Sequence, residues 1–230
     1  MTETTDHDQD LLAEQSEYYR QRACEYEDWW YRRAGYDGGA HNNERWFAET
    51  ELLEQALATF KPTGRVLELA CGTGLWTRHL ARYADEVSAL DGSHEMIALN
   101  RRQVAQPNVR YIQADLFSWE PAETYDVCFF GFWLSHVPAE RFADFWRMVR
   151  AALAPGGRVF FLDSASLDRW GQDALTGSVM VRQLADGRRF RIVKHFYEPR
   201  ALEQTLEQLG FKANVCRTPE YFIYASAQPR

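Results

Sequence analysis

Five short apolar runs punctuate the middle of the chain: Arg65–Leu69, Val87–Leu90, Val109–Ile112, Tyr125–Phe130 and Arg158–Leu162. Each is continuous in apolar character rather than alternating, the pattern of strands in a sheet covered on both faces. Between them, Leu75–Tyr83, Ser93–Arg102 and Ala139–Leu153 carry helical periodicity. The last is the clearest, with Phe142, Phe145, Trp146, Val149 and Leu153 on one stripe and a stop at Ala154-Pro155-Gly156-Gly157. Strand–helix alternation with short connections predicts an α/β fold with a parallel core.

The flanks read differently. Two helical patterns, Gln9–Arg33 and Asn42–Phe60, precede Arg65 and are rich in Tyr and Trp. After Asp163 a polar stretch leads to Arg189–Tyr197, where Phe190 and Ile192 alternate with basic residues. A helix around Leu202, Leu206 and Leu209 follows, then Gly210 and two final strands, Phe211–Cys216 and Tyr221–Ala225. The expected organisation is an acidic, frayed tail over residues 1–17, a helical cover or lid over 18–60, and a core over 61–230. That core has an insertion at about 164–197 that contributes to a substrate pocket.

Composition narrows the field. The 230 residues are 46% apolar and 26% charged, a globular balance. No apolar run is long enough for a membrane span, and the N-terminus lacks the basic and apolar regions of a signal peptide. The net charge of −7 resides mostly in six acids within residues 1–17, so the body is nearly neutral and a nucleic-acid partner is not expected. Four cysteines without CxxC spacing give neither a disulfide framework nor a metal site; Cys71 and Cys128 read as buried thiols of a cytoplasmic protein.

The chemistry concentrates in Glu68-Leu69-Ala70-Cys71-Gly72-Thr73-Gly74, where a strand ends and a helix begins. Two glycines one residue apart permit a tight turn and a close approach of backbone to ligand. A dinucleotide fingerprint would need a third glycine where Thr77 stands, and Glu68 would repel a pyrophosphate. The expected ligand therefore carries positive charge and no phosphates. Asp91, at the tip of the second strand, suits ribose hydroxyls, and Asp115, at the tip of the third, suits an amino donor such as that of adenine.

These motifs, ELACGTG, ALDGS and QADLF in this order, resemble those of class I S-adenosylmethionine-dependent methyltransferases over roughly residues 61–165. The resemblance implies a Rossmann-like seven-stranded sheet, mostly parallel with an antiparallel last strand. It implies S-adenosylmethionine (SAM) as cofactor and S-adenosylhomocysteine (SAH) as product. Gly72 and Gly74 would lie under the methionine part, with Glu68 tolerated by the sulfonium charge. Asp91 would hold the ribose, Met96 would pack on the adenine, and Asp115 with Leu116 or Phe117 would form the adenine rim. Ala70 and Gly92 complete the expected cofactor site. Tyr18–Glu27, Phe132–Trp146 and Val181–Phe196 further resemble the group containing the dehydrophos-pathway phosphonate O-methyltransferase. That likeness implies Arg182 and Lys194, twelve residues apart, as the pair holding a substrate anion.

A carboxylate or phosphonate acceptor needs only a cation to orient it, whereas a phenol or amine needs a base. Arg182 and Lys194 serve the first case and His136 the second; His136 stands open between base, substrate donor and structural turn residue. Tyr19 is expected to reach the cofactor carboxylate. Trp29, Trp30, Tyr31 and Trp133 are expected to wall the acceptor, and at least one of Tyr19, Arg22 and Tyr31 is expected to touch a ligand. The reading is a methyltransferase for a small molecule, most simply an organic acid, with no metal, nucleic acid or membrane partner; the oligomeric state is left open. The alternatives are a phenol or amine methyltransferase using His136, and a non-catalytic cofactor-binding protein.

Overall fold

The five apolar runs become parallel neighbours. In the computed structural model, which describes residues 3–166 and 174–230, they form β1 (Arg65–Leu69), β2 (Glu86–Asp91), β3 (Val109–Gln113), β4 (Tyr125–Gly131) and β5 (Leu153–Ser164). Three short strands follow, β6 (Ala174–Thr176), β7 (Val179–Gln183) and β8 (Arg189–Val193), and the chain closes with β9 (Phe211–Arg217) and β10 (Phe222–Pro229). The main sheet has seven strands in the order β3-β2-β1-β4-β5-β10-β9. β1 pairs in parallel with β2 and β4, and β10 runs antiparallel to both β5 and β9. The expected seven-stranded sheet with an antiparallel final strand is thus the observed one. Strand order reverses between β1 and β4, which opens a crevice at their carboxyl ends.

Period-2 alternation sorts the central strands onto two cores. Leu67, Leu69, Cys128 and Phe130 face α5 (Phe142–Ala152) and α6 (Pro199–Gln208) through Phe145, Trp146, Val149, Leu202 and Leu206. Val66, Val127 and Phe129 face α2 (Ala40–Phe60) and α3 (Thr77–Leu80) through Leu53, Leu57 and Leu80. α4 (His94–Val104) follows β2, capped by the Ser93 side chain, which accepts the Met96 N–H. α3 is much shorter than the expected Leu75–Tyr83 helix, because its flanks are tight turns. The Pro155-Gly156-Gly157 breaker ends α5 as expected, yet lies inside β5, where the pairing with β4 shifts register between Tyr125 and Val127.

The N-terminal expectation needs correction. α1 spans Glu3–Arg22 as one helix, so the acidic stretch 1–17 is not a frayed tail from Glu3 onward. Gln15, Tyr18 and Arg22 lie on one buried stripe at helical spacing and pack against the β7–β8 hairpin, while Glu14 pairs with Arg191 of β8 at 2.8 Å. Of the acids expected to be solvated charge, Asp10 is exposed, whereas Glu14 and Glu17 are part-buried and pair with Arg191 and Arg20. The expected insertion forms a separate antiparallel sheet, β6-β7-β8; residues 167–173 of it lie outside the described residues. Among the described residues no helix is long and apolar enough to cross a membrane.

Candidate functional site

β1 ends at Leu69 and the chain turns at once. Ala70 and Gly72 adopt positive φ, 54° and 51°; for the alanine that is strained backbone, about 1–3 kcal/mol held at the sheet edge. Asp91, at the tip of β2, fixes the turn: one carboxylate oxygen accepts the Gly72 N–H at 2.9 Å, the other the Ser93 N–H at 2.8 Å. Burial raises the Asp91 pKa and these two bonds work against the rise. Each oxygen keeps a second lone pair for a ligand hydroxyl. Asp115 builds a local turn by accepting from the Phe117 N–H at 3.0 Å and the Ser118 hydroxyl at 3.1 Å. Phe117 lies 5.4 Å from the Trp133 ring, and the Arg141 guanidinium stands 5.1 Å from Phe117.

These residues line a cavity of about 410 Å³, within the size range of small-molecule sites. Of the expected cofactor residues, Tyr19, Ala70, Gly72, Asp91, Gly92, Met96, Asp115, Leu116 and Phe117 line it. A Cβ placed on Gly72 meets nothing nearer than Tyr26 at 4.0 Å, so that position opens onto the cavity. Two expected residues stand apart. Gly74 packs on α4, where a Cβ would lie 2.7 Å from Asn100 and Val104 side-chain atoms. Glu68 is buried beneath the turn and accepts the Thr77 hydroxyl at 2.6 Å; Asn100 donates to Thr77 at 2.8 Å and to the Gly72 carbonyl at 3.3 Å. Burial lifts the Glu68 pKa to about 8, so it holds a proton near neutrality. Gly74 supports the turn from below, while Glu68 lines a pocket of about 20 Å³ under the turn that shares Tyr26, Ala70, Gly72, Gly131 and Phe132 with the large cavity.

A second, smaller cavity of about 60 Å³ adjoins the first and shares Tyr19, Tyr26, Phe132 and His136 with it. The hairpin segment supplies two of its three cations, and Arg22 of α1 the third. Arg182 of β7 pairs in register with Phe190 of β8, and Met180 with Ile192, so alternation puts Arg182, Met180, Phe190, Ile192 and Lys194 on one face. Lys194 is buried; its ammonium donates to the Ser135 hydroxyl at 2.8 Å and lies 3.4 Å from Asp163. Burial lowers the Lys194 pKa, and Asp163 opposes that shift. Asp163 also accepts the Ser135 and Ser164 N–H groups, each at 2.8 Å.

His136 lies at the junction of the two cavities. Its Nδ1 is 2.7 Å from the Val193 carbonyl, which only accepts, so Nδ1 carries the proton. Nε2 is then the acceptor and takes the Tyr19 hydroxyl at 2.8 Å. Burial holds the His136 pKa well below its usual value, with Lys194 adding to the effect, and burial pushes the Tyr19 hydroxyl up. Both groups are neutral near pH 7.

The residues of the expected acceptor wall divide between the two cavities and the core. Trp29 lines the small cavity, but Trp133 lines the large one. Trp30 is a core residue whose carbonyl accepts from the Trp46 indole, and Tyr31 accepts from Arg78 at 3.1 Å, lining neither cavity. Sequence reading missed Tyr26, Phe132, Trp46, Tyr221 and Phe222 as cavity residues, as well as Leu12, Gln15 and Ser16 of α1. The α1 residues had a usable signal in helical spacing. Phe132, at a positive φ of 56° just after β4, had none.

The donor set fits an adenosyl sulfonium: carboxylates at successive strand tips, an open glycine turn and the buried thioether of Met96. The comparisons agree. The Methyltransferase domain family model matches residues 39–216, and the chain belongs to this family. It is a SAM-dependent methyltransferase. Solved structures of DhpI, one with SAH and one with SAM and HEP, are each 40% identical to it. They cover 95% of this chain and 97% and 98% of theirs, with TM-scores of 0.79 and 0.80. The ubiquinone biosynthesis O-methyltransferase of Bordetella avium is 27% identical over 174 residues, 73% of this chain and 70% of its own length. The 23S rRNA (uracil(1939)-C(5))-methyltransferase RlmD of Pseudomonas putida is 44% identical over 72 residues; the match spans 29% of this chain and 16% of RlmD.

Proposed function

We propose that this methyltransferase acts on an ionised oxygen of a small organic acid, carboxylic or phosphonic. The observation that carries this reading is the convergence of Arg182 and Lys194 on a small cavity that shares four residues with the cofactor cavity. When bound, SAM supplies a methyl group made electrophilic by its sulfonium. Asp91, Asp115, Met96 and the glycine turn would hold it. Lys194 and the planar fork of Arg182 orient the acceptor oxygen, which is already anionic and needs no base. The aromatic walls keep water from the junction. Support also comes from the likeness to DhpI, one of whose structures holds SAM together with HEP.

The His136-base reading for phenols or amines is less favoured, since Nε2 already accepts from Tyr19 and burial makes the imidazole a weak base. The test is SAH release across fatty, aromatic and phosphonic acids, phenols and amines. Acids are expected to be methylated, with kcat/KM falling about 100-fold or more in Lys194→Ala, which also leaves the buried Asp163 without its cation, and in Arg182→Ala, which removes a charged hydrogen bond to the acceptor. Turnover confined to phenols or amines overturns the reading.

A further inference from the structure

The pocket of about 20 Å³ under the glycine turn is walled by Glu68, Thr73 and Trp76 and shares Ala70, Gly72 and Gly131 with the large cavity. Trp76, at the start of α3, is 4% exposed, and its indole N–H meets no acceptor among the described residues. The Trp46 N–H, by contrast, donates to the Trp30 carbonyl at 3.0 Å. The rings of Trp30 and Phe129, 5.7 and 5.9 Å away, pack against Trp76. Its pyrrole edge is turned to the end of β4: a Cβ on Gly131 would stand 3.1 Å from Cδ1 and 3.4 Å from Nε1. An indole nitrogen only donates, and a buried donor without an acceptor is costly, so the pocket calls for an oxygen.

A buried water needs about 10–15 Å³ and two or more polar partners. The pocket has the room, and Glu68 is the second partner. Asn100 donates to the Thr77 hydroxyl, which gives its own proton to Glu68 Oε2. Glu68 holds a proton near neutrality, and with Oε2 accepting, that proton sits on Oε1. Thr73 is committed elsewhere, donating to Glu27 at 2.7 Å. A water that accepts from both the Trp76 N–H and Glu68 keeps two hydrogens to give, and so takes an acceptor from the large cavity. Strand order supplies one. Asp115, Asp91 and Gly72 follow or end β3, β2 and β1, and Gly131 ends β4. With the nucleoside matched to Asp115 and Asp91, the amino-acid end of the cofactor is the part that reaches β1 and β4, where the pocket joins the large cavity.

We propose that a water held by Trp76 and Glu68 in this pocket recognises the carboxylate at the amino-acid end of the cofactor, which makes Trp76 a specificity-determining residue for SAM and SAH. This recognition is the same whichever acceptor the enzyme methylates. The test compares SAH with its decarboxylated analogue, which keeps the nucleoside, the thioether and the ammonium, by calorimetry on the wild type and Trp76→Phe. The substitution keeps an aromatic ring and removes the N–H. It is expected to weaken SAH binding about tenfold and to change binding of the analogue less than about twofold, which also certifies the fold. An equal loss for both ligands, or no loss for either, overturns the proposal. A crystal structure of the wild-type SAH complex decides the matter should the variant fail to fold. It is expected to show a water accepting from Trp76 Nε1 and donating to the SAH carboxylate. No oxygen within hydrogen-bonding distance of Nε1, or a cofactor oxygen there in place of the water, overturns the proposal.

Discussion

The two cavities meet at Tyr19, Tyr26, Phe132 and His136, yet they are opposites in size and charge. The larger, about 410 Å³, is lined by two carboxylates, Asp91 and Asp115, with Arg141 at its edge. The smaller, about 60 Å³, presents Arg22, Arg182 and Lys194. On the proposed reading a cationic methyl donor and an anionic acceptor are each matched to their own side, and the neutral Tyr19–His136 pair stands between them. The difference in volume supports the proposed roles. Only the larger space suits a nucleoside, while the smaller holds a few heavy atoms. The aromatic bulk of Trp29, Trp46, Tyr221 and Phe222 narrows the acceptor side rather than enlarging it.

Damage on one side of this division leaves the other readable. In the proposed cofactor pose Asp91 would hold the ribose through two charge-assisted hydrogen bonds, each worth about 1.5 kcal/mol or more; Asp91→Ala removes them and releases the Gly72 and Ser93 N–H groups. SAH affinity by calorimetry is expected to fall about 100-fold. The acceptor KM at saturating cofactor is expected to change less than about threefold. A parallel rise in both constants breaks the comparison, because it makes the two cavities one coupled site.

Glu68 decides how negative the cofactor side is. Its pKa is about 8 in the folded chain against an ordinary 4.5, so the folded state holds a proton that the unfolded state releases between those values. The stability linked to it is fully present below the unfolded pKa and is lost as pH rises through the folded one. Between about pH 5 and 6.5 the wild type is expected to lose about 2 kcal/mol relative to Glu68→Gln, roughly 4–8 °C in relative Tm. The comparison between proteins cancels the opposite trend from His136, whose lowered pKa erodes stability as pH falls. A pH-independent difference in Tm shows that Glu68 is ionised when buried and adds a third negative charge beneath the turn.

The same contrast explains what could be read in the sequence. The cofactor side is local. Gly72, Asp91 and Asp115 each stand at a strand's end or within three residues of it, so strand–turn spacing points to them, whereas Ala70 and Met96 are expected only from the resemblance. The acceptor side is assembled from α1, the segment after β4, the β7–β8 hairpin and the start of β10, and no spacing joins Arg22 to Lys194 or Trp29 to Tyr221. Arg182 and Lys194 were found through resemblance, and hairpin register explains why they converge. Trp30 and Tyr31 show the limit of composition: adjacent aromatics look alike in sequence, yet Trp29 faces the cavity, Trp30 the core and Tyr31 an arginine. Gly74 belongs to the motif but packs on α4, and Glu68 combines a buried hydrogen bond from Thr77 with a place on the wall of the small pocket under the turn; spacing alone does not separate these roles.

The smallest effect is expected at the shared wall. Tyr19→Phe keeps the ring and removes only the hydroxyl that His136 Nε2 accepts at 2.8 Å. The loss of one neutral hydrogen bond, about 1 kcal/mol, predicts roughly a fivefold fall in kcat with a carboxylic acid acceptor. SAH affinity is expected to stay within about twofold. The pH profile carries the sharper argument. His136 is held neutral by burial and Tyr19 is held protonated, and a carboxylic acid is ionised well below neutrality. The kcat is therefore expected to be flat between about pH 6 and 8 in both proteins. A wild-type rate that falls as pH drops through about 6.5, together with a loss of about 100-fold or more in His136→Ala, shows that His136 works as a base. The neutral pair would then be part of the chemistry, not a wall between two charged sites.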